Sequence, residues 1–391
     1  MKAISLATIC EKLKNNHMAP SAVELTRELI RFETVNPPGN ERVCAEYLGA
    51  LLDDAGFDIT FHDFGEARVN MVARVGGNGD KPALCFTGHL DTVPLGSQPW
   101  SVAPFAADIS DGKLWGRGSS DMKSGVAAFT LAAIAFADRL GRTPGLELVI
   151  VAGEETGCEG SFDIAHKAGA LGRAGAIVVA EPTSNQPWVG HKGALWLKGV
   201  TSGVTAHGSM PDKGDNAIYK AARAVAKLEN FDFNVARHPV LGPPTLNVGT
   251  VQGGININSI PDRTEFTVDM RTIPGQDHAH LRDQITSYLG DEVELETVID
   301  VGGVWSDPEG GWIQEVFAIV SAQTGWSPAI ETATYFTDAS ALTPAYGNPP
   351  TVILGPGEAA MAHQTDEYCL VDRIDEAVEI YSEIIRRWCS L

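Results

Sequence analysis

The stretch ALCFTGHLDTVP, residues 83–94, places a histidine and an aspartate directly after an apolar, strand-like run. Three later stretches have a similar form, in which an apolar run leads into acidic residues or a histidine: LVIVAGEETG (148–157), AIVVAEPT (176–183) and VILGPGEAAMAHQTDE (352–367). Runs this apolar have no face for water, which is typical of strands in a sheet covered by helices on both sides. They predict an α/β fold in which a mixed, mostly parallel sheet is sandwiched by helices.

The residues that follow these strands form a set suited to binding metal. Together with Asp121 in GRGSSDMKSG (116–125), the set comprises two imidazoles and several carboxylates: His89, Asp121, Glu154, Glu155, Glu181 and His363. Such mixed nitrogen and oxygen ligands suit zinc or a similar divalent ion, and there are too many anionic groups for one closed structural site. We therefore predict two ions that share one carboxylate. The predicted ligand groups are His89, Asp121 and Glu181 for one ion, and Asp121, Glu155 and His363 for the other.

Two acidic residues remain beside the predicted ligands. Asp91 follows His89 by two residues, so it can accept the second ring N–H and fix the orientation of the imidazole. Glu154 precedes Glu155 and points the opposite way if the segment is extended, which suits a general base. Each motif alone has an ordinary interpretation, such as a salt-linked turn or an acidic helix N-terminus. The complete ordered set favours a metal site.

A second domain is predicted within the first. From about Lys192 the pattern of apolar residues changes to the order β-α-β-β-α-β, which predicts a four-stranded antiparallel sheet with two helices on one face. The expected boundaries are 1–191 and 303–391 for the two segments of the first domain, which carries the predicted metal site, and 192–302 for an inserted ferredoxin-like domain.

Composition limits the possible partners and location. A chain of 391 residues is long enough for two domains, and a net charge of −21 argues against nucleic acid or an anionic membrane as a partner. The sequence contains no run of about 18 apolar residues, so it predicts no membrane span. The short apolar run at residues 3–10 lacks a convincing cleavage site, and the six cysteines form no CxxC pair. We interpret these features as a cytoplasmic location with reduced thiols.

Several stretches together are specific to one family: TGHLDTVP, WSVAPFAADISDGKLWGRGSSDMKSG, GEETGCEGS, AEPT, HKGALWLKGVTSGVTAHGSMPDKGDNAI, NSIPDRTEFTVDMRTIPG and GPGEAAMAHQTDEY. From about Val23 to Ile385 the chain resembles the dinuclear-zinc amidohydrolases and exopeptidases that include acetylornithine deacetylase, succinyl-diaminopimelate desuccinylase, aminoacylase and glutamate carboxypeptidase. The resemblance implies the same metal ligands, Glu154 as catalytic base, and two divalent ions per chain, with zinc expected and cobalt or manganese able to substitute.

The resemblance also implies roles for residues that spacing does not single out. It makes the first domain the catalytic domain and the inserted domain, 192–302, a lid and dimerisation domain of a homodimer. His207 is expected to come from the partner subunit and to polarise the scissile carbonyl. Asn258, Thr337 and Asp338 match positions beside the substrate in relatives, although a Thr-Asp pair is also common at a helix N-cap. Arg271 could bind the substrate's α-carboxylate with its fork of donors, or form an ordinary surface salt bridge.

The expected function is hydrolysis of the amide bond of an N-acyl amino acid, of the acetylornithine deacetylase or succinyl-diaminopimelate desuccinylase type. The expected mechanism uses a metal-bridged hydroxide and Glu154 as general base. Aminoacylase, dipeptidase, carboxypeptidase and carbamoylase activities remain alternatives, as does a metal-free binding module on the same fold. The chain has no H-E-x-x-H motif, and GRGSSDMKSG lacks the G-x-S-x-G elbow of serine hydrolases.

Overall fold

A computed structural model of the chain describes residues 20–77 and 80–391. The short apolar run at residues 3–10, which includes Cys10, lies outside the described residues. Contacts divide the chain into two compact units. Unit 1 contains the described residues up to Gly190 together with Trp305–Glu331 and Thr337–Leu391, and unit 2 contains His191–Val304 and Thr332–Phe336. Residues 332–336, which the sequence analysis assigned to the catalytic domain, therefore group with unit 2.

The strands are, in chain order, β1 (Asp58–Asp63), β2 (Val69–Val75), β3 (Ala83–His89), β4 (Ile109–Ser110), β5 (Lys113–Trp115), β6 (Leu146–Val151), β7 (Ala174–Val179), β8 (Trp188–His191), β9 (Gly193–Ser202), β10 (Thr245–Gly253), β11 (Arg263–Thr272), β12 (Glu294–Val301), β13 (Val304–Trp305), β14 (Glu331–Ala333), β15 (Thr351–Ile353) and β16 (Tyr368–Leu370). The α-helices are α1 (Ala22–Arg31), α2 (Arg42–Asp54), α3 (Ser124–Ile134), α4 (Glu159–His166), α5 (Ala217–Leu228), α6 (His278–Leu289), α7 (Gly311–Thr324), α8 (Ala339–Ala345) and α9 (Val371–Trp388).

The large sheet has the order β1-β2-β6-β3-β7-β15-β8-β13, and β14 pairs with β8. Its central strands β6, β3, β7 and β15 run parallel, whereas β1, β2 and β8 pair antiparallel with their neighbours. A small three-stranded sheet has the order β16-β5-β4. The prediction of an α/β fold with a mixed, mostly parallel sheet is confirmed.

The core of unit 1 explains why the central strands of the large sheet are so apolar. Every residue of β6 is buried, and in β3 the ring of Phe86 lies 5.7 Å from Phe129 of α3 and 5.4 Å from Tyr381 of α9. Helix α3 follows Asp121 closely, and nine of its eleven residues are buried, so no wide polar face remains on it. A buried helix of this kind gives the preceding turn a rigid support.

Unit 2 has the element order β9-α5-β10-β11-α6-β12, and its sheet order is β10-β11-β9-β12 with antiparallel pairs throughout. Strand β11 alternates between buried residues such as Phe266, Val268 and Met270 and partly exposed residues. The buried side packs with apolar residues of α5 and α6, including Leu228 and Ile285. One face of this sheet therefore forms the unit's core.

Among the residues that the structure describes, no helix has both the length and the apolar character needed to cross a bilayer.

Gly125 in α3 tests how closely this helix must approach the sheet. A Cβ added there would overlap the carbonyl oxygen of Ala180, which directly precedes Glu181. We expect Gly125→Ala to lower the free energy of unfolding by about 1–3 kcal/mol, because neither backbone can move without disturbing the core. Urea unfolding provides the measurement.

Gly311→Ala is the matched control. Gly311 is the first residue of α7, and within residues 20–77 and 80–391 no atom beyond its chain neighbours and its own helix backbone lies within 4 Å of an added Cβ there. Alanine should leave the stability unchanged or raise it by up to about 1 kcal/mol, because it has the higher helix propensity. Equal effects of the two substitutions would contradict the close approach of α3 to β7.

Candidate metal centre

Adjacent parallel strands carry the site residues to one edge of the large sheet. His89 is the last residue of β3, the 153–155 segment follows β6, and Glu181 follows β7. Because these strands are neighbours and parallel, their carboxyl ends meet at the same edge, where open α/β sheets commonly bind ligands. Asp121 lies in the turn before α3, and His363 lies in the segment after β15.

The donor atoms form two groups that share Asp121. His89 Nε2 lies 3.2 Å from Asp121 Oδ1 and 3.7 Å from Glu181 Oε1. His363 Nε2 lies 2.9 Å from Glu155 Oε2 and 3.5 Å from Asp121 Oδ2. Within each group, the donor atoms of the three residues lie within 4.8 Å of one another. The structure thus brings together the five residues that the sequence analysis proposed as ligands, in the two predicted groups.

Charge at the site fits the binding of divalent cations. Burial, together with the nearby charge of Asp121, raises the pKa of Glu155 to about 7 and raises that of Glu181 well above its ordinary value. Burial also raises the pKa of Glu154 well above its ordinary value; the charge of His89 opposes this, and those of Glu181 and Glu155 add to it. Buried carboxylates that repel one another are stabilised by a nearby cation.

One oxygen of the site gives a second indication of fit. Glu155 Oε1 is buried in a side chain that is only 5% exposed, and among the residues that the structure describes this oxygen has no hydrogen-bond partner. Buried polar atoms without a partner are uncommon in folded proteins, and an ion is one of the groups that satisfies them. The donor set and this oxygen both agree with a two-ion centre of nitrogen and oxygen ligands.

Asp91 supports the site differently from the sequence-based expectation. The Nδ1 atom of His89 lies 2.9 Å from the backbone carbonyl oxygen of Asp91, whereas the nearer carboxylate oxygen is 3.6 Å away. The carboxylate instead accepts the backbone N–H groups of residues 153–155 at 2.8, 3.2 and 3.2 Å, and a hydrogen bond of 2.9 Å from Asn36 Nδ2. Asp91 therefore joins the end of β3 to the segment that carries Glu154 and Glu155.

Glu154 lies beside the two donor groups but belongs to neither. These are the groups found among residues 20–77 and 80–391. The side chain of Glu154 is buried, and Oε1 lies 3.8 Å from the Sγ atom of Cys158. A buried carboxylate that neighbours the donor groups and is not one of them has the position required of a proton carrier.

Two buried residues of the site were missed by the sequence analysis. Arg117 and Glu367 are 1% and 0% exposed and form an ion pair of 2.7 Å. Glu367 also accepts the backbone N–H groups of Gly118, Ser120 and Asp121. Both residues stand within motifs that had been singled out, but nothing in a sequence indicates that two charged side chains are buried against each other.

Thr337 and Asp338, the predicted substrate contacts of unit 1, are both buried at the start of α8. The Thr337 hydroxyl accepts the backbone N–H of Ala339, the first residue of α8, at 3.2 Å, whereas Asp338 is the N-cap residue and makes no side-chain capping hydrogen bond. Burial raises the pKa of Asp338 to about 6. A local hydrogen bond thus engages the hydroxyl of Thr337, and a substrate role for either residue stays a prediction.

The candidate residues of unit 2 are His207, Asn258 and Arg271. His207 and Asn258 are exposed, and His207 Nδ1 lies 2.7 Å from Ser209 Oγ. Arg271 forms a salt bridge of 2.9 Å with Asp269, which also accepts a hydrogen bond from Trp196 Nε1. The donors of Arg271 are therefore partly engaged within the sheet, and a carboxylate ligand would share or replace Asp269.

Comparisons with known proteins agree with this geometry. The sequence model of the family described as peptidase family M20/M25/M40 matches residues 85–387. A succinyl-diaminopimelate desuccinylase of Rhodospirillum centenum is 32% identical, over 95% of this chain and 98% of the relative. An acetylornithine deacetylase of Myxococcus xanthus is also 32% identical, over 93% of this chain and 96% of the relative.

Solved structures show the same fold at lower identity. An M20 family metallo-carboxypeptidase of Sulfolobus solfataricus has a TM-score of 0.78 and 17% identity, and the match covers 95% of this chain and 100% of that one. A dinuclear metal-binding peptidase of the M20 family from Bacillus subtilis has a TM-score of 0.68 and 16% identity, with 94% and 98% covered.

Proposed function

Because the chain belongs to peptidase family M20/M25/M40 and is a hydrolase of amide bonds, we propose that its substrate is an N-acyl amino acid of the acetylornithine or succinyl-diaminopimelate type. The observation that carries the proposal is the pair of donor groups joined by Asp121, with the buried Glu154 beside them. Aminoacylase, dipeptidase, carboxypeptidase and carbamoylase activities would use the same centre. A metal-free binding module would not need two complete ligand groups.

We assign one ion to His89, Asp121 and Glu181, and the other to Asp121, Glu155 and His363. Zinc is the proposed ion, with cobalt or manganese able to substitute, because the ligands are imidazoles and carboxylates. When bound, such ions supply Lewis acidity and lower the pKa of water toward neutrality.

Glu154 is the proposed general base. It takes a proton from the attacking water and then donates that proton to the departing amine, so that one carboxyl group serves both steps. The hydrogen bonds from the backbone of residues 153–155 to Asp91 fix the segment that holds it. The side chain is 6% exposed, which limits exchange of this proton with bulk water.

The remaining proposed contacts orient the substrate. We propose that Arg271 binds the α-carboxylate bidentately and that Asn258, Thr337 and Asp338 contact the rest of the substrate. His207 is proposed to act across a homodimer, where its exposed ring would donate a hydrogen bond to the scissile carbonyl in the site of the partner subunit. Because Nδ1 contacts Ser209, Nε2 is the nitrogen that we propose as the donor to the carbonyl.

Metal content and substrate specificity are tested together. We expect close to two ions per chain by elemental analysis, and release of free amine from N-acetyl or N-succinyl amino acids in a panel that also contains N-carbamoyl amino acids and dipeptides. Chelation should abolish turnover, and zinc or cobalt should restore it. Turnover of only dipeptides or N-carbamoyl substrates would replace the proposed substrate class, and absence of both metal and turnover would favour the binding module.

Glu154→Gln tests the proton carrier. The amide keeps the size of the side chain but cannot accept and return a proton, so kcat should fall by at least about 100-fold while both ions are retained. Steady-state kinetics and elemental analysis of the same preparation provide the measurement. A kcat near that of the wild type would exclude Glu154 as the base.

His207→Ala tests the proposed carbonyl contact. Loss of one preorganised donor should lower kcat by about 100- to 1,000-fold, with metal content and folding unchanged. His280→Ala, in the partly exposed first turn of α6, is the control and should keep normal kinetics. If both variants behave alike, His207 has only a structural role.

A further inference from the structure

Glu367 is a buried carboxylate that accepts three of its four hydrogen bonds from the turn that carries Asp121. Its Oε1 atom accepts the backbone N–H groups of Ser120 at 2.8 Å and Asp121 at 3.0 Å. Its Oε2 atom accepts the N–H of Gly118 at 2.9 Å and Nη1 of Arg117 at 2.7 Å. Four donors thus occupy the four acceptor positions of one carboxylate. Residues 118–121 are called the Asp121 turn below.

Arg117 extends the same network to the segment of His363. Its Nη1 atom also donates to the backbone carbonyl of Gln364 at 3.2 Å, and Nη2 donates to that of Pro94 at 3.2 Å. Gln364 directly follows His363 in the chain. One guanidinium therefore connects the Asp121 turn with the segment that carries a member of the second donor group.

The His363 segment has a backbone conformation that needs external support. His363 has φ of 64° and Asp366 has φ of 58°, both in the left-handed region that residues with side chains seldom adopt. Such conformations persist only where surrounding contacts hold them. The bond from Arg117 to the Gln364 carbonyl and the hydrogen bonds from Ser101 to Asp366 are contacts of this kind.

Stability alone is a weak explanation for a fully buried ion pair. Desolvation of two charges roughly offsets their attraction, and well-packed apolar residues often serve as well or better. Apolar residues could not accept three backbone N–H groups or hold the Gln364 carbonyl. The geometry therefore indicates a role in which the positions of Asp121 and His363 are what matters.

We propose that Arg117 and Glu367 form a clamp that positions Asp121 and His363 for binding a divalent ion, without being ligands themselves. The proposal rests on the two-ion centre of the proposed function. The clamp should act mainly on the ion held by Asp121, Glu155 and His363, because the clamp contacts the segments that carry two of these three ligands, Asp121 and His363. His89 and Glu181 are instead held at the ends of β3 and β7.

Glu367→Gln is the principal test. Glutamine keeps one acceptor oxygen, so it can serve one pair of donors, while its NH2 group would face the N–H groups of the other pair. Calorimetric titration of the metal-free protein with zinc should give one site weakened by about 10- to 100-fold, the usual effect of losing a residue that orients a ligand. His363→Ala, which removes a ligand of one group only, identifies the weakened site by comparison.

Glu147→Gln is the matched control. Glu147 is 2% exposed, forms a salt bridge of 2.8 Å with Arg74 and accepts the backbone N–H of Gly172. It lies in β6 opposite Cys85 of β3, four residues before His89, or about 13 Å along the strand. We expect this variant to lose stability and to keep both zinc affinities. Equal losses of stability in the two variants, with unchanged zinc affinities in both, would overturn the clamp.

Hydrogen exchange and a second variant decide the remaining outcomes. In Glu367→Gln, the amides of the Asp121 turn should exchange faster than in Glu147→Gln, with or without zinc; equal protection would overturn the proposal.

If Glu367→Gln does not fold, Arg117→Lys replaces it, because lysine can pair with Glu367 but cannot span to the carbonyls of Gln364 and Pro94. Wild-type zinc affinities in Arg117→Lys would also overturn it. A wild-type protein that binds no zinc would reject the proposed function, while exchange would still show whether the clamp orders the turn.

Discussion

Repulsion among buried carboxylates at one edge of the large sheet is the constraint on which the rest of the structure depends. Asp121, Glu154, Glu155 and Glu181 approach one another where water is scarce, and burial together with the charges of neighbouring carboxylates raises the pKa of the three glutamates. A chain folds with such a cluster only if its backbone holds the groups in place and their charge is neutralised by protons or by cations. Central parallel strands and a buried helix supply the first condition, and two imidazoles with a place for divalent ions supply the second.

The protein orients its charged groups largely through backbone N–H groups. Asp91 accepts those of residues 153–155, and Glu367 accepts three from the Asp121 turn. Each of these carboxylates thus fixes a segment that carries a different member of the site. Because the hydrogen bonds end on backbone, they set the position of a whole segment rather than the rotamer of one side chain.

Much of the fold and the grouping of the candidate ligands could be predicted from the sequence, because both follow from strand ends. Runs such as LVIVAG can only be buried, and neighbouring parallel strands must bring the residues that follow them together. The roles of Asp91 and Glu367 could not be predicted in this way. Asp91 was expected to bind the ring of His89, but its carboxylate lies closer to the amides after β6, and only coordinates reveal that distance. The engagement of Arg271 by Asp269 likewise depends on side-chain conformation within one strand.

The placement of His363 has a consequence for the order of events during synthesis. This residue meets Glu155 across a separation of 208 positions in the chain. At 5–20 residues per second, a ribosome needs about 10–40 s to make the intervening segment. From the synthesis of Glu181 onwards, the nascent chain contains His89, Asp121 and Glu181 but still lacks His363, a member of the other donor group. The second donor group is therefore completed only when synthesis has passed His363, well after every member of the first group has been made.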